Sequence, residues 1–233
     1  MSQMPGTEAT MGRQSQGETV WANIKTIGGA VLLALVIRTC LFEPFEIEGP
    51  SMEPTLLNGD RVVVSKFSYG LFLPLADEAI FNWSVPDAGS VVIIKSPMDG
   101  VDIVKRVIGV PGDRIEIRDG RVLRNGAAMP MDDVGSCETG DGSHNPRCRW
   151  TRSKVDGVSF RTSAALPPYD MEEITIPDNH IFVLGDHRDS SNDSRNPAVG
   201  AIPASRVKGH ALAIYWSSGE DGRRWHRMFK AVE

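Results

Sequence analysis

The hydrophobic positions of this 233-residue chain change texture at two places. Residues 1–20 are polar, rich in Gly, Ser, Thr and Gln, and carry no apolar period, which predicts a disordered tail. Next comes "WANIKTIGGAVLLALVIRTCLFEPF", with an uninterrupted apolar run from Ile27 to Ile37. Extended to Phe42, that run approaches the roughly 20 residues that cross a bilayer, with Arg38 able to snorkel near one end. Trp21 and Lys25 then sit at one interface. A cleaved targeting segment would need small residues at its cut site, and "TCLFEPFEIEG" offers none. A buried core helix is the remaining alternative, because the run alone is short. The expectation is an uncleaved anchor over residues 21–44. Flanking charge leaves its orientation open, with Arg13 and Lys25 before it and Arg38 and Arg61 after.

Beyond residue 44 the pattern turns to short Val- and Ile-rich runs bounded by Gly, Pro, Asp and Asn. "DRVVVSKF", "GSVVIIKSP", "DIVKRVIGVPGDRIEIRDGRVLRNG", "HIFVLGD" and "VKGHALAIYW" are the clearest. This is the signature of strands and tight turns. The Asp-Gly of "IRDGRVLRNG" predicts a hairpin between Arg114–Ile117 and Arg121–Leu123. Residues 126–173 are more polar and read as a smaller β lobe inserted into a catalytic β body made of residues 45–125 and 174–233. The expected fold is therefore mainly β: an antiparallel, barrel-like sheet with an inserted lobe, preceded by one transmembrane helix.

Composition narrows this picture. A net charge of −5 without long basic tracts leaves no footprint for nucleic acid. The 23 glycines and 15 prolines fit a turn-rich β protein and exclude a helix bundle. Of the three cysteines, Cys137 and Cys148 flank the polar loop "ETGDGSHNPR", a spacing that suits a disulfide in an oxidising compartment; two free thiols are the alternative. No C-x-x-C motif or other ligand pattern implies a metal or a cofactor.

Candidate chemistry begins at "FEIEGPSMEPTLLNGDRVVVSKFSYG", where Ser51 stands in a Gly-Pro-Ser-Met-x-Pro turn. A serine hydroxyl needs a base to become nucleophilic. None of the five histidines stands in a setting that marks a triad, although His187 lies beside Asp186 and Asp189. The other base known to serve serine is a neutral lysine. In water a lysine is deprotonated about one part in a thousand at neutral pH, and burial among apolar groups changes that. Lys105, set in "VDIVKRVIGVPGD", is the candidate; a lysine on the wet face of a strand is the plain alternative. The third stretch, "FVLGDHRDSSNDSR", ends a strand in a loop dense in Asp, Ser and Asn. It reads as a cation loop, although its spacing misses the calcium pattern, as a solvated turn, or as a hydrogen-bonded scaffold with Asp193 and Arg195 paired.

Together and in this order, "EGPSMEPTLLNGDRVVVSKFSYG", "KRVIGVPGD" and "GDHRDSSNDSR" resemble the serine, lysine and Gly-Asp boxes of the bacterial type I signal peptidases, the membrane-bound leader peptidases. The likeness runs from about residue 24 to "YWSSGEDGRRWHRMF". It implies an enzyme that removes signal peptides from exported preproteins after an Ala-x-Ala pattern. Ser51 is then the nucleophile and Lys105 the general base. Ser191 orients the lysine by a hydrogen bond, and Asp186, Asp193 and Arg195 hold the scaffold, with Arg106 structural. Phe45, Ile47, Met52 and Val104 match positions that line shallow pockets for small side chains. The resemblance further implies a single pass through the bacterial inner membrane with the catalytic body outside, signal peptides and the lipid bilayer as partners, a functional link to the export machinery, and no cofactor.

One departure stands out. Many members carry a serine two residues before the nucleophile to help hold the oxyanion; here that residue is Gly49. Stabilisation then falls to backbone N–H groups of Gly49 and Ser51, and one such donor is worth about 2.7–4 kcal/mol elsewhere. His187 replaces a common asparagine and reads as structural. The apolar side chains of Phe67, Leu71, Phe72, Leu73, Ile80, Phe81 and Trp83, with Trp225 and Phe229 near the end, read either as core or as a surface resting on the bilayer. Rival functions are a specialised Ser-Lys processing peptidase, an autocleaving repressor of similar fold, and an inactive export-side binding protein.

Overall fold

The computed structural model describes residues 21, 23–31, 41–71, 78–138, 144–163 and 169–232, the side chains of 137, 138 and 144–148 excepted. The chain divides into two units, Met1–Thr39 and Cys40–Glu233. In the first, residues 21 and 23–31 are helical. Among the described residues no helix is long and apolar enough to cross a membrane. Residues 32–40, the middle of the expected anchor, lie outside the described residues, as does the tail over 1–20.

The second unit is built of β1 (Phe42–Glu46), β2 (Asp60–Ser65), β3 (Gly70–Leu71), β4 (Phe81–Asn82), β5 (Val91–Lys95), β6 (Asp102–Gly109), β7 (Arg114–Arg118), β8 (Arg121–Arg124) and β9 (Ala127–Ala128). It continues through β10 (Met131–Glu138), β11 (His144–Val155), β12 (Val158–Ser163), β13 (Met171–Thr175), β14 (His180–Leu184), β15 (Ile202–Pro203), β16 (Val207–Gly219), β17 (Gly222–Arg223) and β18 (Lys230–Ala231). The main sheet runs β1-β2-β16-β5-β6-β14-β15, with β17 and β18 added to β16, and every pairing within it is antiparallel. Its path stays open between β1 and β15. The expected barrel-like body is thus an unclosed antiparallel sheet.

The central strands read as unbroken apolar runs because both their faces are covered. On β5, Val91 and Ile93 enter one core with Met52, Leu56 and Val104, whereas Val92 and Ile94 enter another with Val107, Ile181 and Val183. The outer strand β7 instead alternates, burying Ile115 and Ile117 between exposed arginines. The predicted hairpin is present, with Ile117 opposite Val122. Its turn residues Asp119 and Gly120 have φ of 50° and 73°, the left-handed pair that an Asp-Gly turn supplies.

Two boundaries differ from the expectation. The sheet begins at Phe42, inside the segment assigned to the anchor, because Phe42 to Glu46 pair in register with Ser65 to Arg61. The hairpin β7-β8 does not join the main sheet but pairs with β13, so the second body starts near Arg114 rather than 126. A separate sheet, β10-β11-β12, completes it. Neither sheet buries a core alone. Ile115, Ile117, Val155 and Phe160 pack with Ile108, Phe182 and Leu184 of the main sheet in one cluster. Cys137 stands in β10 and Cys148 in β11, paired strands, and their side chains lie outside the described residues. The expected disulfide lies there too.

Candidate active site

Ser51 stands in the turn between β1 and β2. The loop is closed at its base by Ile47 N–H to Asp60 O (2.8 Å) and Gly59 N–H to Ile47 O (3.0 Å). Met52 and Leu56, almost fully buried, sink into the core on either side of a helical bond from Leu56 N–H to Met52 O. Burying these two apolar groups fixes the turn by roughly 2 kcal/mol each and leaves Ser51 facing a cleft. That cleft, about 400 Å³, is lined by Phe45, Ile47, Met52, Val104, Ser51 and Lys105, together with the acidic Glu46, Glu48 and Asp102. The four residues matched to substrate pockets thus share one cavity with Ser51.

Lys105 reaches the serine from β6. Its Nζ donates to Ser51 Oγ at 2.9 Å and to Val104 O at 2.9 Å, and the side chain is buried. Burial lowers its pKa from 10.5 to about 8, against the attraction of Asp193 and Asp186 and with some help from Arg195. At neutral pH such an amine is free of its proton about one time in ten, against about one in a thousand for an exposed lysine. This is the condition a lysine must meet to take a proton from serine.

Beneath the pair lies a buried ionic frame. Asp186 receives Arg106 Nε and Nη2 at 2.8 Å each, with Arg106 Nη1 donating to Gly89 O. Neither partner sees solvent. The guanidinium also lies 4.0 Å from the Phe160 ring, and Thr55 Oγ1 donates to Asp186 Oδ2 at 2.5 Å. The frame therefore ties the Ser51 loop to the strand that carries Lys105. Asp193 accepts Gly185 N–H at 2.9 Å and pairs with Arg195 Nε at 2.8 Å. Arg195 in turn holds Arg188 O and Ser191 O. The Asp- and Ser-rich loop is thus a hydrogen-bonded scaffold, and among the described residues no acidic or His/Cys cluster has the makings of a metal site. Gly185 is required by crowding: a Cβ there would lie 2.2 Å from Ser191 Oγ and 2.5 Å from Ser51 O.

Two expected contacts take a different form. Ser191 lies beside Gly185, yet among the described residues its Oγ is buried without a hydrogen-bond partner and makes no bond to Lys105, whose bonds go to Ser51 and Val104. Gly49, at φ 83°, has its N–H directed at Asn58 Oδ1 (3.4 Å), so this donor is already engaged. Ser51 N–H makes no hydrogen bond among the described residues and is the backbone donor left for an oxyanion.

The sequence reading missed Thr55, which carries no motif of its own. It also missed Arg188, buried, with Nε on Gly185 O at 3.1 Å and its pKa lowered to about 10 by burial. His187 proves adjacent to Ser51, its backbone N–H donating to Ser51 O at 3.1 Å.

The sequence family described as signal peptidase, peptidase S26, matches residues 20–216. A signal peptidase I from Pseudomonas fluorescens is 32% identical over 83% of this chain and 71% of its own length. One from Bacillus licheniformis is 32% identical over 84% of this chain and 89% of its own. A solved signal peptidase I from Enterococcus faecalis aligns with 55% of this chain and 97% of its own at 24% identity and a TM-score of 0.34, a likeness too slight to build on. With a match over most of its length and relatives at this identity, the chain belongs to the signal peptidase family, peptidase S26.

Proposed function

We propose that the protein is a membrane-anchored serine endopeptidase that cuts signal peptides from exported preproteins after small residues, with Ser51 as nucleophile and Lys105 as base. The observation that carries this reading is the 2.9 Å contact between Lys105 Nζ and Ser51 Oγ inside the cleft, in a chain of this family. Neutral Lys105 takes the hydroxyl proton as Ser51 Oγ attacks the scissile carbonyl. Ser51 N–H holds the oxyanion. The lysine then gives the proton to the leaving amine; neutral again, it takes a proton from a water that attacks the acyl-enzyme, and returns that proton to Ser51 Oγ as the acid product leaves.

The open edges of the sheet support the mode of binding. On one side β6 pairs with β5 from Asp102 to Arg106, but β14 pairs with it only from Arg106 onward. Among the described residues Asp102 to Lys105 therefore keep a free edge beside the cleft, and β1 is itself an edge strand. A peptide laid between them gains ladder hydrogen bonds, and its alternate side chains meet the apolar walls. Narrow apolar pockets reject large or charged groups, which accounts for an Ala-x-Ala preference.

The anchor expected within residues 21–44, the outward-facing body in the bacterial inner membrane, the Cys137–Cys148 disulfide and the link to the export machinery belong to the same proposal. Exposed Phe67 and Trp83, 4.6 Å apart, with Phe81, Trp225 and Phe229, give it a lipid-facing surface. The test is cleavage of an Ala-x-Ala signal-peptide substrate in detergent with lipid. Cutting at the small-residue site by wild type, and none by Ser51→Ala or Lys105→Met, is the expected result. Equal inactivity of all three, with the peptide still bound, overturns it in favour of a binding protein.

A further inference from the structure

The cleft accounts for the residues before the cut. The chain after the cut must leave Ser51 past other groups, among them Glu53, two residues on in the same turn, and His187, whose N–H is bonded to Ser51 O. Glu53 Oε2 lies 3.8 Å from His187 Nδ1, too far for a hydrogen bond, and the His187 ring lies 5.9 Å from that of Trp150 on β11. A second groove opens here, about 510 Å³, walled by Glu53, Pro54, Leu57 and Trp150, with Arg224 farther along the wall. None of its residues lines the first cleft.

Glu53 is the unusual member. Its carboxylate is half-buried and makes no hydrogen bond among the described residues. Burial pushes its pKa up against the pull of His187, Arg224 and Arg227. A half-buried carboxylate sharing one groove with an indole is short of donors, and an ammonium or guanidinium entering the groove suits both groups, by charge-assisted hydrogen bonds to the carboxylate and by cation–π attraction to the ring. The groove also carries Glu220 and Asp221 against Arg223 and Arg224. With Glu53 counted, its fixed carboxylates outnumber its guanidiniums.

We infer that Glu53 and Trp150 form a subsite for the first two residues of the mature chain, one that favours a cationic side chain there and disfavours an acidic one. This rests on the signal-peptidase reading and adds a specificity beyond the small residues before the cut. A preprotein whose mature part starts with Lys or Arg places that head between the carboxylate and the indole. One that starts with Asp or Glu brings a like charge against a carboxylate that water cannot fully screen.

The test uses the full-length protein in detergent and lipid with three peptides, identical up to the cut and carrying Lys, Ala or Glu at the second position after it. In wild type, kcat/KM should fall in the order Lys, Ala, Glu, with Lys over Glu by about tenfold, and that ratio should shrink as salt rises. Glu53→Gln should bring the ratio near one and Glu53→Asp should restore part of it. Trp150→Leu should lower it through the Lys peptide. The distant Glu173→Gln, on β13, should leave it unchanged. A purely structural role for Glu53 would slow all three peptides equally. A wild-type ratio near one or inverted, or one that survives Glu53→Gln, overturns the subsite. Failure of wild type to cut even the Ala peptide overturns the underlying function, and the subsite with it.

Discussion

The buried lysine makes the sharpest prediction. Replacing Lys105 by Met keeps the bulk of the side chain and removes the amine. Holding the folded pKa at about 8, against 10.5 in the unfolded chain, is worth about 3 kcal/mol of destabilisation of the charged form. The unfolded chain keeps its proton between those two pH values while the folded one has lost it, so wild-type stability rises with pH across that window. Below about pH 8 both states are protonated and the full penalty is present. Above 10.5 both are neutral and it is gone. Lys105→Met has no such term. Relative to the variant, wild type should therefore gain about 3 kcal/mol between pH 7 and pH 10.5, about 6–12 °C in Tm for a body of this size. Thermal melts of both proteins, run side by side from pH 6.5 to 10.5, read this difference directly, since alkaline effects common to both cancel. In the same window the wild-type kcat/KM for a signal-peptide substrate should rise through an apparent pKa of about 8. A stability gap that stays flat with pH, or an activity limb near 10.5, would refute the claim that burial primes this lysine.

Other parts of the site can be tested one group at a time. Asp186→Asn leaves Arg106 buried against a neutral partner and should cost about 3–5 kcal/mol in denaturant unfolding; a loss below about 1 kcal/mol would mean the frame is not structural. Gly185→Ala forces a methyl against Ser191 Oγ and Ser51 O, so kcat should fall by more than tenfold in a protein that still folds. Trp83 and Trp225 are exposed, and their emission in the isolated body, residues 40–233, should shift to the blue on adding liposomes; an unchanged spectrum removes the lipid-facing surface. Cys137 and Cys148 should resist thiol labelling until reductant is added, and free reaction of both without it excludes the disulfide.

Much of this protein was open to reading from its residues alone. Short Val- and Ile-rich runs between turn residues announced a β protein, because strand propensity and turn chemistry act over a few neighbours. Asp119 and Gly120 placed a hairpin for the same local reason, the left-handed backbone that an Asp-Gly turn supplies. Ser51, Lys105 and the Gly-Asp loop were singled out by residue type and order. What the residues could not decide was contact across long stretches of chain. Thr55 bonds to Asp186 across 131 positions, and Arg106 becomes fully buried only because Asp186 meets it from β14's end. The hairpin at 114–124 looked like part of the main body, and only pairing with β13 assigned it to the second one. Strand pattern alone left Lys105 consistent with a wet strand face; the burial that lowers its pKa and its 2.9 Å contact with Ser51 come from the fold. The groove of Glu53, Trp150 and Arg224 joins three distant segments that carry no shared motif. Local backbone preference is written into neighbouring residues, whereas desolvation and charge pairing depend on which segments the packed sheet brings together. The chemistry of this site belongs to the second kind.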